Sequence, residues 1–297
     1  MGKILDLLKT RRCLLSDGAW GTLLHRKGLK PGECPESWNL THEGHVVDIA
    51  RSYIDAGADL IKTNSFGGNC FKLGHYGLAG RVNALNQAAV RISRKAAGDS
   101  KMVMASVGPT GKLLMMGDVT EDELYDAFRD QILALYEAGA DAILIETMSD
   151  LQEASIAIRA ARENTPLEVL ATMTYESAAG DDFFTMMGVG TAEMVSAFKS
   201  LGVDIIGVNC GKGIGETIEL VRKIRSIDSE IPIIAHPNAG LPEYRDGETV
   251  FLETPGQMAS RLEELVSAGA RIVGGCCGTT PSHIEKFAAI IKKANLF

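Results

Sequence analysis

Apolar positions along this chain fall into short runs that stop at polar or glycine-rich tips, separated by longer stretches of helical periodicity. Four segments repeat one pattern: AGADLIKTN from Ala56, AGADAILIE from Ala138, LGVDIIGVN from Leu201 and AGARIVGGC from Ala268. In each, a helix ends at a glycine and a brief apolar run follows, which is how a helix feeds a buried parallel strand. The same pattern predicts strands over 13–16, 60–63, 102–107, 142–145, 169–174, 205–208, 233–235 and 272–274. Helical periodicity follows each run, for example over 121–137, 192–201 and 281–293. The first of these opens with Thr120 three residues before Glu123, a capping-box spacing. Eight strand–helix alternations point to an α/β fold, a (β/α)8 TIM barrel, with an open doubly wound sheet as the alternative. No Pro- or Ser-rich linker interrupts the pattern, so a single domain over 1–297 is expected.

Composition narrows the function more than the fold. Hydrophobic residues make up 45% of the 297 and charged residues 23%, which is ordinary for a globular chain. Thirty basic against 38 acidic residues give a net charge of −8, so a nucleic-acid partner is not expected. No apolar run approaches the roughly 20 residues of a membrane span. The opening MGKILDLLKTRRC is too short in its apolar part and too charged for a signal peptide. A cytoplasmic protein is therefore expected, with its six cysteines as thiols or metal ligands rather than disulfides.

Barrel chemistry gathers at the carboxyl ends of the strands. The expected tips carry Asp17-Gly18, Thr63-Asn64-Ser65, Ser106, Glu146, Thr174-Tyr175-Glu176, Asn209-Cys210, His236-Pro237-Asn238 and Gly275-Cys276-Cys277-Gly278. Three of the six cysteines thus share one face, and Cys13, Cys34 and Cys70 have no such company. Adjacent cysteines inside a strand would face opposite ways. Gly274, Gly275 and Gly278 let the backbone turn there, so Cys276 and Cys277 can both meet Cys210. Three thiolates suit Zn2+ and leave its fourth position open for substrate. The plainer reading makes Cys210 a small buried hydrophobe and the pair a filler of a tight turn. Other signals are weaker. GKGIGE at 211–216 lacks Walker spacing and reads as a loop. His25, His42, His45, His75 and His283 read as surface or cap residues, while His236 lies at a tip. Met115-Met116 and Met186-Met187 could line the mouth.

The strings DGAWGT (17–22), NLT (39–41), GADLIKTNSF (57–66), LIET (144–147), GVNC (207–210), PNAGLP (237–242) and GGCCGTTPSHI (274–284) resemble the homocysteine S-methyltransferase family. The resemblance runs from about residue 13 to residue 293 and is nearest to the homocysteine-binding barrel of cobalamin-dependent methionine synthase. It implies Cys210, Cys276 and Cys277 as zinc ligands, and Asn238 as the group that in some members fills the open position until substrate arrives. It also implies Asp17 and Glu146 as the acidic pair receiving the amino group of homocysteine, with Gly18 and Ser65 near its carboxylate. Plainer roles stand beside these: a helix cap for Asp17, an ion pair for Glu146, a turn holder for Asn238. Trp20 departs from the small or aliphatic residue common in synthase barrels and leaves the donor side open.

The chemistry explains the parts. A free thiol is mostly protonated near neutral pH, and metal coordination converts it to the nucleophilic thiolate. A carboxylate pair holding the ammonium end then aims the sulfur along the line of displacement. The methyl must come from an activated donor. The resemblance to the synthase barrel, nearest in NLT, GADLIKTNSF and PNAGLP, implies a methylcobalt donor. Short loops after most strands would leave a mouth broad enough for it, and with no DxHxxG cobalamin motif present a separate methylcorrinoid protein is the favoured donor. Small onium donors (S-methylmethionine, S-adenosylmethionine or betaine) are the alternative, with Trp20 as one wall of a cation–π cage. Another thiol acceptor, a non-catalytic corrinoid-docking subunit, and a barrel lyase or aldolase complete the set; the Cys-Cys pair argues against the last.

Overall fold

A computed structural model of the chain describes residues 2–245 and 248–296. Eight parallel strands form its centre: β1 Leu14–Leu15, β2 Leu60–Lys62, β3 Met102–Val107, β4 Ala142–Met148, β5 Glu168–Met173, β6 Ile205–Cys210, β7 Ile233–Pro237 and β8 Ala270–Val273. They pair in the order β1-β8-β7-β6-β5-β4-β3-β2, and a parallel bridge from Ser16 to Leu60 joins β1 to β2. The sheet therefore closes on itself as a single-domain TIM barrel, and the open-sheet alternative is excluded. Helices expected over 121–137 and 281–293 are found as Glu121–Glu137 and Pro281–Lys293, and that over 192–201 as Thr191–Ser200. Thr120 and Glu123 make both bonds of the expected capping box. Among the described residues, no helix is long and apolar enough to cross a membrane.

Two apolar layers hold the barrel. Outward-facing strand residues such as Ile61, Val103, Ile143 and Ile206 pack under the surrounding helices. Inward-facing ones, among them Leu14, Leu60, Met104, Leu144, Leu170 and Ile234, fill the amino half of the interior. The helix Lys3–Thr10 closes that end, with Ile4 and Leu8 inserted into the inner layer. Glu168 fixes it, accepting hydrogen bonds from the backbone N–H groups of Ile4 (2.8 Å) and Leu5 (2.7 Å) at the helix start. A carboxylate there meets donors that the helix itself leaves unpaired. The opening segment is thus a plug.

The expected short loops occur only in part. Residues 149–150 and 211–213 are brief links from β4 and β6 to their helices. By contrast, β3 is followed by a long segment over 108–120, and β5 and β7 by antiparallel hairpins, Ser177–Ala179 with Asp182–Phe184 and Pro242–Arg245 with Glu248–Phe251. Gly180, with φ of 62°, sits in the first hairpin's turn, where Gly180-Asp181 is a turn signal of the usual kind. Periodicity read for strands feeding helices passed over it.

Candidate active site

Side chains alternate across a strand, so each inward apolar residue dictates what stands two residues further on. Leu14, Leu60, Met104, Leu144, Leu170 and Ile234 are followed on the same face by Ser16, Lys62, Ser106, Glu146, Thr172 and His236. On β6 and β8 the corresponding residues are Gly207 and Gly274, where a Cβ would collide with Ile234 and with Asp17 and Ser16. The interior thus changes from apolar to polar in one step of the pleat. Above that step lies a cavity of about 270 Å³, walled by Trp20, Lys62, Ser106, Glu146, Thr147 and the three tip cysteines among others.

Cys210, Cys276 and Cys277 converge there, their sulfurs all within 4.8 Å of one another. Cys210 ends β6 with φ of 63°, rare for a residue with a side chain, and this turns its sulfur to 3.0 Å from that of Cys276. Past β8, Cys276 is held by its N–H to Pro237 O (2.8 Å), and Ala239 N–H donates to Cys277 O (2.9 Å). Gly275 has no room for a Cβ against Thr279, and Gly278 has φ of 80°, so glycine is required on both sides of the pair. Hydrogen bonds from the Cys210 and Cys277 thiols hold the Cys276 thiol well below the usual range, with Lys62 and Asn209 adding to the effect. The Cys210 and Cys277 thiols are pushed up in turn, so the charge in this cluster settles on the Cys276 sulfur.

Asn209 organises the tips of three strands. Its Oδ1 accepts from Thr147 N–H (2.8 Å) and Thr172 Oγ1 (2.7 Å), and its Nδ2 donates to Thr147 Oγ1 (2.8 Å) and faces Cys210 Sγ at 3.4 Å. The sequence reading placed Asn209 at a tip without a role. Lys62 was passed over altogether as part of a strand. Its ammonium lies 3.6 Å from Asp17 Oδ1 and 3.9 Å from Glu146 Oε2, within the barrel.

The expected substrate residues separate. Glu146 lines the cavity, with its other oxygen accepting from Ser106 Oγ. Burial raises its carboxyl, and Lys62 opposes that. Asp17 is fully buried; Oδ2 accepts from the Trp20 indole N–H and the Lys62 backbone N–H, both at 2.8 Å. It does not cap the helix Trp20–Arg26, whose N-cap is Ala19. Gly18 packs where a Cβ would strike Thr279 and Tyr53, and Ser65 Oγ donates to Ser106 O at 2.7 Å. Asn238 bridges two loops through Nδ2 to Gly211 O (2.8 Å), while its buried Oδ1 has no hydrogen-bond partner. His236 is fully buried with both ring nitrogens unpartnered, and burial with Lys62 nearby drives it down to about 3, so it is neutral. His283 proves to be part of the capping box at Thr280.

A closed barrel with three thiols and a carboxylate at one mouth defines a barrel protein with a candidate metal site at the carboxyl ends of its strands. The chain belongs to the homocysteine S-methyltransferase family, whose model matches residues 14–291. It is similar to the methionine synthase of Mycobacterium tuberculosis, 34% identical over 306 residues, covering 97% of this chain and 25% of that protein. The Mycobacterium leprae methionine synthase is 33% identical over 310 residues, with 98% and 25% covered. The chain thus spans about a quarter of the length of these curated relatives. In fold it matches the metallated homocysteine methyltransferase MmuM from Escherichia coli, with a TM-score of 0.79 at 23% identity, covering 96% of this chain and 98% of that one.

Proposed function

We propose that this barrel holds zinc through Cys210, Cys276 and Cys277 and transfers a methyl group from a separate methylcorrinoid protein to the thiol of homocysteine, giving methionine. The observation that carries it is the convergence of three thiols on a cavity that Glu146 also lines. The donor set fits the metal: sulfurs on a zinc tetrahedron with bonds of about 2.3 Å lie roughly 3.8 Å apart, and this cluster needs only small side-chain adjustment to adopt that spacing. The unpartnered Oδ1 of Asn238, held between the Cys210 and Cys277 loops, supports it as the group that fills the fourth position in the absence of substrate. A metallated relative of the same fold agrees with this reading. When bound, zinc deprotonates a coordinated thiol at neutral pH.

The protein's own groups do the rest. Glu146, braced by Ser106, receives the ammonium end of homocysteine, so the sulfur approaches in a fixed orientation. Asp17 acts from behind the wall, locking Trp20 and the Lys62 backbone in place. The methylcorrinoid donor is supported by two features. The curated relatives are methionine synthases. In addition, the segments after β3, β5 and β7 expose Met115, Met116, Met186 and Tyr244, each 67% to 79% exposed, an apolar rim suited to a protein partner. A small onium donor is the second reading, favoured by the Trp20 ring on the cavity wall. The test supplies homocysteine with a methylcorrinoid protein, methylcobalamin, S-methylmethionine, S-adenosylmethionine or betaine and measures methionine. Turnover with an onium donor and none with either methylcobalt compound reverses the choice of donor.

A further inference from the structure

Lys62 is the cation among the titratable residues that wall the cavity, where the others are Glu36, Glu146 and the three cysteines. The β2 register fixes it: Leu60 faces the inner apolar layer, so Lys62 faces the same interior one step higher. Its side chain is only 6% exposed. Burial alone would lower an ammonium, yet the carboxylates of Glu146 and Asp17 raise it, so it is charged. At 3.6 and 3.9 Å from those carboxylates, the ammonium is too far from either for a direct hydrogen bond. An ammonium on the cavity wall thus has no close acceptor from the acidic pair.

Glu146 and Lys62 therefore present a negative and a positive group side by side on one wall. An α-amino acid carries its ammonium and its carboxylate on one carbon, separated by a similar short span. We infer that Lys62 is a specificity-determining residue that binds the carboxylate of the acceptor amino acid while Glu146 binds its ammonium. This inference deepens the homocysteine reading and rests on it. With both charges pinned, only the thiol-bearing chain is free to reach toward the cysteine cluster. A lysine present only to neutralise buried carboxylates would show no preference for a carboxylate on the ligand.

The experiment measures binding to the zinc-loaded protein by calorimetry, with no methyl donor present. Three thiols are compared: homocysteine, 4-mercaptobutanoate, which lacks the ammonium, and 3-mercaptopropylamine, which lacks the carboxylate. Wild type is expected to bind 3-mercaptopropylamine about tenfold to a hundredfold more weakly than homocysteine, the loss usual for one charge-assisted hydrogen bond. Lys62→Met and Lys62→Gln are expected to weaken homocysteine and 4-mercaptobutanoate by a similar factor and leave 3-mercaptopropylamine unchanged or tighter. Zinc content is measured on each variant. Equal wild-type affinity for homocysteine and 3-mercaptopropylamine overturns the inference without any variant. So does a variant that weakens all three thiols alike. A zinc-loaded wild type that binds none of the three overturns the homocysteine reading itself, and this inference with it.

Discussion

The two ends of the barrel are made from the same eight strands and behave as different materials. At the amino end the interior holds Leu14, Leu60, Met104, Leu144, Leu170 and Ile234, sealed by Ile4 and Leu8 of the plugging helix. Two residues further along the same strands stand Ser16, Lys62, Ser106, Glu146, Thr172 and His236, nearly all of them buried as deeply as the apolar layer below. Burying such groups costs free energy unless partners satisfy them. Hydrogen-bond partners are supplied for Ser106 by Glu146 and for Thr172 by Asn209, while Lys62 has two carboxylates near it at ion-pair distance only. His236 and the Asn238 Oδ1 are left without any. One end is a filled apolar core, and the other keeps buried polar groups, some of them without partners, beside an open cavity.

The contrast can be broken most sharply at the cysteines. A Cys210→Ser/Cys277→Ser protein should lose its zinc, from about one per chain to a trace, and methionine formation should fall to background while the barrel stays folded. Elemental analysis beside circular dichroism checks this, and full zinc retention would end the ligand assignment. The mirror experiment is Ile4→Ala at the opposite end. Removing this fully buried side chain should cost about 2–5 kcal/mol in denaturant unfolding. Its zinc content should match wild type; a variant as stable as wild type would show that the plug contributes little.

A smaller effect is expected from Glu146→Gln, which keeps the shape of the wall and removes its negative charge. Homocysteine should bind roughly tenfold to a hundredfold more weakly, about 1.5–3 kcal/mol, with zinc unchanged. An unchanged Michaelis constant for homocysteine would make the carboxylate structural. The smallest effect concerns Asp141, before β4 at the amino end. Burial would raise its carboxyl, but hydrogen bonds from Lys3, the Val103 backbone N–H and Arg94 outweigh this and hold it below its ordinary 3.8. A carboxyl lowered by folding adds stability that is complete above its unfolded value, about 3.9, and disappears as pH falls through the folded one. Melting temperature followed from pH 7 to pH 2 should therefore drop less steeply below about pH 4 in Asp141→Asn than in wild type. Parallel curves would remove Asp141 from the acid response.

Much of this molecule is legible in its sequence because the determining interactions are local. Alternation of apolar runs with helical periodicity, glycine at the helix ends of the four repeated segments and the Thr120–Glu123 spacing depend on neighbours within a few residues, and all recur in the structure. The tip residues follow by the same counting, which is why Cys210, Cys276, Cys277 and Glu146 could be named beforehand. What the sequence could not decide by itself is what meets across the barrel. Cys210 ends its strand at a positive φ and meets Cys276, 66 residues away in the chain, a contact that no local pattern contains. Asp17 read as a partner for the substrate ammonium or as a helix cap; the structure gives the cap to Ala19 and ties the Asp17 carboxylate to the Trp20 indole and the Lys62 backbone. Lys62 read as an ordinary strand residue because its two carboxylate partners come from β4 and the turn after β1. Register and closure are properties of all eight strands together, and no short window of sequence contains them.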